Sequence, residues 1–115
     1  MLELVDVLYN NNITIVAGTD DLAGYTLHRE LENYVAAGIP ASKVLQIATL
    51  TAAQVTKQDK DLGSIARGKF ADLIIVDGNP AKNISDIRKV DTVIKDGLIF
   101  KPAAIHQVLG ISEAK

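Results

Sequence analysis

Two carboxylates near the N-terminus occupy a position where catalytic groups often occur in α/β proteins. Asp20 and Asp21 follow a β-branched run over residues 13–17, which predicts a strand buried on both faces. In parallel α/β folds, ligands and catalytic groups gather at the carboxyl ends of such strands. Asp20 could serve there as a metal ligand or a general base. Either aspartate could equally do no more than stabilise a turn by bonding the nearby backbone, and the short Gly-Thr-Asp sequence does not decide between these roles.

Three further side chains could take part in chemistry, and each also has an ordinary structural explanation. His28 comes eight residues after Asp20 at the start of an amphipathic helix, so the intervening loop could bring it to the same strand end. A first-turn residue with no ligand role fits that position as well. His106 lies among apolar residues far from this segment and is given no functional role. Lys69 precedes an apolar strand, and since nothing in the pattern would desolvate it, a solvated turn residue is the better interpretation.

The composition excludes several classes of function. The 115 residues suffice for one modest domain, and 48% of them are hydrophobic, which leaves more apolar surface than one small core can hide. The 12 basic and 14 acidic residues are spread along the chain and offer no basic surface for nucleic acid. Without cysteine, a metal site would need carboxylate and imidazole ligands. No apolar stretch could span a membrane and no basic signal peptide is present, so we expect a cytoplasmic protein with no membrane partner.

The hydrophobic spacing predicts that helices flank this strand. Apolar residues recur at helical intervals over residues 2–9, where an asparagine run then ends the helix, and again over residues 27–38. Pro40 can start a further helix, and Thr51-x-x-Gln54 is typical of a capping box for a short helical piece after it. Helix, strand and helix in this order form the alternation of an α/β fold.

A region of different character begins after a charged link at residues 57–61. Its signals are those of strands and turns, with a weak strand at residues 62–65 and a continuous apolar strand at residues 72–76. Asp96-Gly97 then separates two further apolar runs, and this dipeptide suits the type I′ turn of a β-hairpin. We therefore divide the chain into residues 1–60, residues 61–102, and a C-terminal helix and tail over residues 103–115.

Five motifs in order carry a resemblance to a known family. They are Ile-Val-Ala-Gly-Thr-Asp at residues 15–20, Leu-His-Arg-Glu-Leu-Glu at residues 27–32, Ala-Thr-x-x-Ala-Ala at residues 48–53, Leu-Gly-Ser-Ile-x-x-Gly-Lys-x-Ala-Asp-Leu-Ile-Ile-Val-Asp-Gly-Asn-Pro at residues 62–80, and Val-Ile-Lys-Asp-Gly at residues 93–97. This series resembles the amidohydrolase superfamily, in particular its imidazolonepropionase-like and prolidase-like branch. The resemblance extends from about Met1 to Lys101, and the Gly-x-Ile-x-x-Gly-Lys-x-Ala-Asp-Leu block is its most specific part.

The resemblance implies a fold of the α/β class. It would be a fragment of a (β/α)₈ TIM barrel, comprising the last strand and its flanking helices, followed by a small β-sandwich-type sheet segment. Residues 13–17 would form the eighth barrel strand, residues 29–55 the helices after it, and residues 62–100 the C-terminal share of the sandwich.

The resemblance also implies roles for two residues. Asp20 would be the aspartate of the eighth strand, which contacts a divalent metal, zinc by preference, and accepts a proton from the metal-bound water as an amide, lactam or dipeptide C–N bond is hydrolysed. His28 would lie beside the substrate or just outside the metal ligands. The family's other ligands would lie upstream of Met1. Because zinc needs three or more protein ligands, we expect this chain alone to bind no metal tightly and to be inactive.

Two other functions stay open beside that of a hydrolase acting on a small-molecule amide or dipeptide. The chain could be a non-catalytic oligomerisation or interaction module, in which Asp20 only fixes a turn. It could also be a small-molecule-binding domain unrelated to hydrolysis, which only the general α/β pattern favours. A single strand separated from its barrel would leave two unpaired edges and apolar helix faces, so we expect a homo-oligomer.

Overall fold

The computed structural model describes residues 2–21 and 26–111. Helices dominate the first half and a small sheet the second, as expected for an α/β chain. In chain order the elements are α1 (Leu2–Asn10), α2 (Leu27–Ala36), α3 (Ala41–Gln46), a π-helical turn (Ile47–Thr51), α4 (Ala52–Val55), β1 (Leu73–Val76), a 3₁₀ helix (Ile84–Arg88), β2 (Val90–Lys95), β3 (Leu98–Phe100) and α5 (Pro102–Leu109).

The first two helices confirm the predictions made from their spacing. After α1, Asn12 takes a left-handed φ of 56°, a conformation that asparagine tolerates better than most residues. The helix α2 buries Leu31 and Tyr34 on one face, while Arg29 is exposed and Glu30 and Glu32 are partly exposed. Its end is set by Gly38, whose φ of 105° lies in a region that favours glycine.

The predicted capping box at Thr51 is wrong. Thr51 has helical backbone angles and its side chain makes no capping bond, since the backbone runs through the π-helical turn from α3 into α4 without interruption. Capping side chains bond the free N–H groups at the start of a helix. In a continuous helical path those groups already bond to carbonyls of the preceding turn, which leaves nothing at Thr51 to cap.

The core joins the two halves of the chain. Ile39 and Val44 are the most deeply buried side chains, with 1% and 0% of their surface exposed. They pack with residues of α2, and Ile84 and Ile87 of the 3₁₀ helix complete the same cluster. The 3₁₀ helix therefore anchors the C-terminal half to the helices of the N-terminal half.

The sheet is antiparallel, with β2 between β1 and β3. The turn between β2 and β3 is the predicted hairpin, because Asp96 and Gly97 both have positive φ, at 52° and 76°, as a type I′ turn requires. Asp72, just before β1, accepts hydrogen bonds from the Lys95 ammonium group and from the backbone N–H of Asp96. This carboxylate therefore ties the first strand to the hairpin turn.

Two predicted strands are not formed. Residues 13–17 and 62–65 have no sheet partner in the part of the chain that the structure describes. A β-branched run becomes a strand only when a neighbour accepts its backbone hydrogen bonds, and residues 13–17 find none there. In the second segment, Gly63 has a φ of 84° and the segment curls into turns. The barrel origin of residues 13–17 is thus implied by resemblance only.

Large apolar side chains are exposed in both halves, as the composition predicts. Ile13 is 53% exposed and Ile99 of β3 is 69% exposed. Several neighbours share this exposure: Val16, Ile74, Ile75, Leu98 and Phe100. Within the described ranges, no helix is both long and apolar enough to cross a bilayer.

Candidate active site

The segment that leads to the candidate site is held from one side. Ile15 and Ala17 pack against the core cluster, whereas Ile13 and Val16 are exposed. The hydroxyl of Tyr34 on α2 donates a hydrogen bond to the carbonyl oxygen of Val16 at 3.0 Å. This part-buried bond fixes the distance between the segment and α2 just before the two aspartates.

Asp20 lies in a bend at the end of this segment, and its carboxylate is exposed. Its side chain makes no hydrogen bond or ion pair in the described part of the chain, so nothing there neutralises or saturates it. On either side of the loop, the Thr26 hydroxyl donates to the Thr19 hydroxyl at 3.1 Å. That bond brings the end of the segment next to the start of α2.

His28 lies in the first turn of α2, just beyond that hydroxyl pair, and is half-buried. Its pKa is lowered first by burial and then by the positive charge of Arg88, while the carboxylate of Glu32 acts in the opposite direction. A neutral imidazole can both donate and accept a hydrogen bond. Asp20 and His28 are separated in sequence by residues 21–27, and the prediction that they share one site stays a prediction.

An ion pair that sequence reasoning did not predict lies one helical turn from His28. The Nε and Nη2 atoms of Arg88 donate to the two carboxylate oxygens of Glu32, each at 2.9 Å. The bonds to Arg88 lower the pKa of Glu32 to about 2. The partners are 56 residues apart in sequence, and no local pattern relates positions at that separation.

The described residues do not form a metal site by themselves. Asp20 offers a carboxylate of the kind that binds zinc or another divalent ion. No group of three or more His, Asp or Glu side chains that could hold a metal occurs within residues 2–21 and 26–111. A metal held by Asp20 would need further ligands beyond these side chains.

Lys69 is not the solvated turn residue that the sequence suggested. Its ammonium group donates to the carbonyl oxygen of Asp59, to that of Leu62 at 3.1 Å, and to the hydroxyl of Ser64 at 2.8 Å. Three acceptors from one loop thus surround this side chain and hold residues 59–64 in a compact turn. Lys69 is a structural residue. Its partners lie in or close to residues 62–65, which were predicted to form a strand and do not.

An open cleft of about 220 Å³ lies beside the start of the same segment. Ile13, Ile15 and Ile47 give it an apolar lining, and Thr51 of the π-helical turn adds a hydroxyl. The cleft borders the residues that begin the segment, whereas Asp20 follows its end. It therefore contributes no side chain to the candidate site.

Comparison with known proteins accounts for most of the chain. The sequence profile of the Amidohydrolase family matches residues 3–99. A 5-methylthioadenosine/S-adenosylhomocysteine deaminase from Thermoanaerobacter pseudethanolicus is 32% identical over 121 aligned residues, which cover 84% of this chain and 28% of that protein. Each match thus includes residues from both halves of the chain.

Solved structures give the same result at the level of the fold. A Xaa-Pro dipeptidase with methionine bound in its active site is 39% identical, with a TM-score of 0.82, over 87% of this chain and 25% of that one. A protein from Bifidobacterium longum assigned as a prolidase is 29% identical, with a TM-score of 0.79, over 92% of this chain and 29% of that one. The chain spans about a quarter of the length of these relatives. The profile match over residues 3–99 shows that the chain belongs to the amidohydrolase family.

Proposed function

We propose that this chain is the C-terminal portion of a metal-dependent hydrolase that cleaves a C–N bond in a small-molecule amide, lactam or dipeptide. The observation that carries the proposal is the exposed carboxylate of Asp20, which has no partner among the described residues. It follows a segment that the Tyr34–Val16 bond holds and that the family profile includes. The relatives' names divide between a deaminase and dipeptidases. These names therefore support hydrolysis of a C–N bond more strongly than they support any particular substrate.

Asp20 is the residue to which we assign proton transfer and metal contact. A divalent metal, zinc by preference, supplies an activated water in the complete enzyme. The carboxylate of Asp20 takes the proton released by the attacking water and returns it to the leaving nitrogen. His28 lies beside the substrate, where a neutral imidazole can donate to or accept from a carbonyl or carboxylate. Because Asp20 is one ligand where three are needed, this chain alone binds metal weakly and is inactive.

The division of the chain follows from these roles. Residues 1–60 are assigned to the end of the hydrolase barrel, residues 61–102 to the C-terminal part of the small β-sandwich, and residues 103–115 to a helix and tail. The exposed apolar side chains of residues 13–16 and of β3 support association between copies.

The test of the catalytic assignment uses two adjacent carboxylates. The chain is joined to the remaining three quarters of the 39%-identical dipeptidase, and dipeptide hydrolysis is measured. We expect Asp20→Asn to lower kcat by roughly 10²–10⁴-fold, the usual contribution of a general base, and Asp21→Asn to change it less than tenfold. Unchanged hydrolysis in Asp20→Asn would show that the assignment is wrong.

A second function, that of an oligomerisation module, is favoured by the same exposed apolar surface. A calorimetric zinc titration of the purified chain, beside its Asp20→Asn variant, tests whether association between chains completes a metal site. Weak zinc binding by the wild type and by the variant is expected if Asp20 supplies only one of the several ligands that the metal needs. Tight, stoichiometric binding that Asp20→Asn abolishes would mean that association between chains completes a site, so this short chain could itself be an enzyme.

A further inference from the structure

The Glu32–Arg88 ion pair lies on the face of α2 that carries His28. Residues four apart on a helix lie one above the other, so the side chains of His28 and Glu32 are neighbours. The guanidinium group of Arg88 reaches this face from the 3₁₀ helix and makes both bonds to Glu32 at 2.9 Å. A histidine and a glutamate of α2 and an arginine of the 3₁₀ helix therefore lie on one face of α2.

The geometry of the pair suits positioning better than general stabilisation. Two parallel N–H···O bonds fix the orientation of a carboxylate as well as its distance. The arginine projects from a short helix whose Ile84 and Ile87 are buried in the core, so its backbone is firmly placed. Glu32 is in turn held against the helical face that bears the imidazole.

We propose that Arg88 is a positioning residue for His28, acting through its two bonds to Glu32. The C-terminal half of the chain thereby sets the orientation of a side chain at the candidate site in the N-terminal half. This inference rests on the proposed function, in which His28 lies beside the substrate. It gives the 3₁₀ helix a part in the chemistry in addition to its part in the core.

The charges around His28 give the arrangement a measurable signature. Arg88 faces the imidazole from the 3₁₀ helix and opposes its protonation, while Glu32 on its own helix favours it. A position in the first turn of a helix also disfavours a cation. Removing Arg88 and removing the charge of Glu32 should therefore move the pKa of His28 in opposite directions, which loss of structure would not do.

The experiment is an NMR titration of the imidazole protons in the intact chain. Only two histidines are present, so His106 in α5 serves as an internal reference in every sample. We expect Arg88→Gln to raise the pKa of His28, Glu32→Gln to lower it further, and Arg88→Lys to fall between the wild type and Arg88→Gln. His106 should keep its wild-type titration curve in all three variants.

Two outcomes would overturn the proposal. One is a His28 titration curve that Arg88→Gln leaves unchanged while circular dichroism shows a folded chain. The other is an upward shift in both Arg88→Gln and Glu32→Gln, which is what simple exposure of the imidazole would produce. If Arg88→Gln does not fold, the other two variants decide. A His28 pKa that is unchanged in Arg88→Lys, or raised in Glu32→Gln, would then overturn the proposal. No readout here requires catalysis, so failure of the Asp20 assignment and failure of this proposal are seen separately.

Discussion

Asp20 at the candidate site differs in its bonding from three aspartates of the C-terminal half. In the C-terminal half, Asp86 accepts from the backbone N–H of Asn79 and from the ammonium group of Lys89, both at 2.9 Å, and these bonds lower its pKa. Asp72 and Asp91 are likewise paired with lysines. In the N-terminal half, Asp20 is exposed and its side chain has no partner among the described residues.

The difference separates carboxylates that bond within the fold from one that no described residue bonds. A carboxylate whose oxygens are already bonded to its own chain has little capacity left for a substrate, a metal or a proton in transit. Asp20 keeps that capacity, and the segment before it is fixed by contacts on one side only. Asp72, Asp86 and Asp91 use their oxygens to bond other residues of the C-terminal half. The oxygens of Asp20 make no bond to any described residue.

The largest expected effect compares the buried core with the segment before Asp20. Ile39→Ala removes a side chain that is 1% exposed, and we expect it to lower the free energy of unfolding by about 2–5 kcal/mol. The same change at Ile13, which is 53% exposed, should cost less than about 1 kcal/mol. Urea unfolding of both variants measures the difference. Equal losses would mean that residues 13–17 belong to the core after all.

A second pair of variants compares the backbone of the two regions. A Cβ atom at Gly63 would lie 2.5 Å from the Cβ of Ala53 and 3.1 Å from the Cα of Leu50, at a φ of 84°. Overpacking and left-handed strain together should lower the unfolding free energy of Gly63→Ala by about 2–4 kcal/mol.

Gly18 provides the matched control, since a Cβ there would meet nothing within 4 Å and its φ is not positive. We expect Gly18→Ala to stay within about 0.5 kcal/mol of the wild type. Thermal or urea unfolding measures the free energy of unfolding of both alanine variants. A destabilisation at Gly18 as large as that at Gly63 would contradict the view that the segment before Asp20 is loosely surrounded.

The ion pair between the halves predicts a loss of stability in acid. The pKa of Glu32 is about 2 in the folded chain against an ordinary 4.5, so its contribution is present above pH 4.5 and is lost as the pH falls toward 2. After allowance for solvent screening of a partly exposed pair, we expect about 1–2 kcal/mol near neutral pH.

The measurement is urea unfolding of the wild type and Glu32→Gln at a series of pH values. Their difference in unfolding free energy should shrink as the pH falls from 4.5 toward 2. Arg88→Gln should show the same narrowing, because it removes the other partner. A difference that stays constant over this range would show that the glutamate contributes through packing and not through its charge.

Local patterns in the sequence predicted the elements whose cause is local. The hairpin follows from the positive φ that Asp96-Gly97 accepts, and α2 follows from the spacing of Leu31 and Tyr34. The hairpin and α2 share one feature, which is that the deciding residues lie within a few positions of one another. The family came from motifs ordered along residues 15–97, and the shared site of Asp20 and His28 stays a prediction.

The failures share the opposite feature. Residues 13–17 have the composition of a strand, but a strand depends on a partner that their own sequence cannot specify. Lys69 was misread because its acceptors on Asp59, Leu62 and Ser64 meet only after the loop has folded. The Glu32–Arg88 pair was missed for the same reason, at a far greater separation. Contacts between distant positions were beyond a single sequence.

The smallest expected effect concerns the bond that fastens the candidate site to the helices. Tyr34→Phe removes the hydroxyl that donates to the Val16 carbonyl, and we expect a loss of about 1 kcal/mol in unfolding free energy. Burial and the Glu30 carboxylate raise the pKa of Tyr34 from 10.0 to about 12, so its contribution is present below pH 10 and is lost as the pH rises toward 12.

Hydrogen exchange should also quicken at residues 14–17 before it does so in β2. Tyr9→Phe, in α1, is the control, because the Tyr9 hydroxyl makes no comparable bond in the described chain. If exchange at residues 14–17 is the same in both variants, the segment is held by Ile15 and Ala17 alone, and the placement of Asp20 would depend on packing and not on this hydrogen bond.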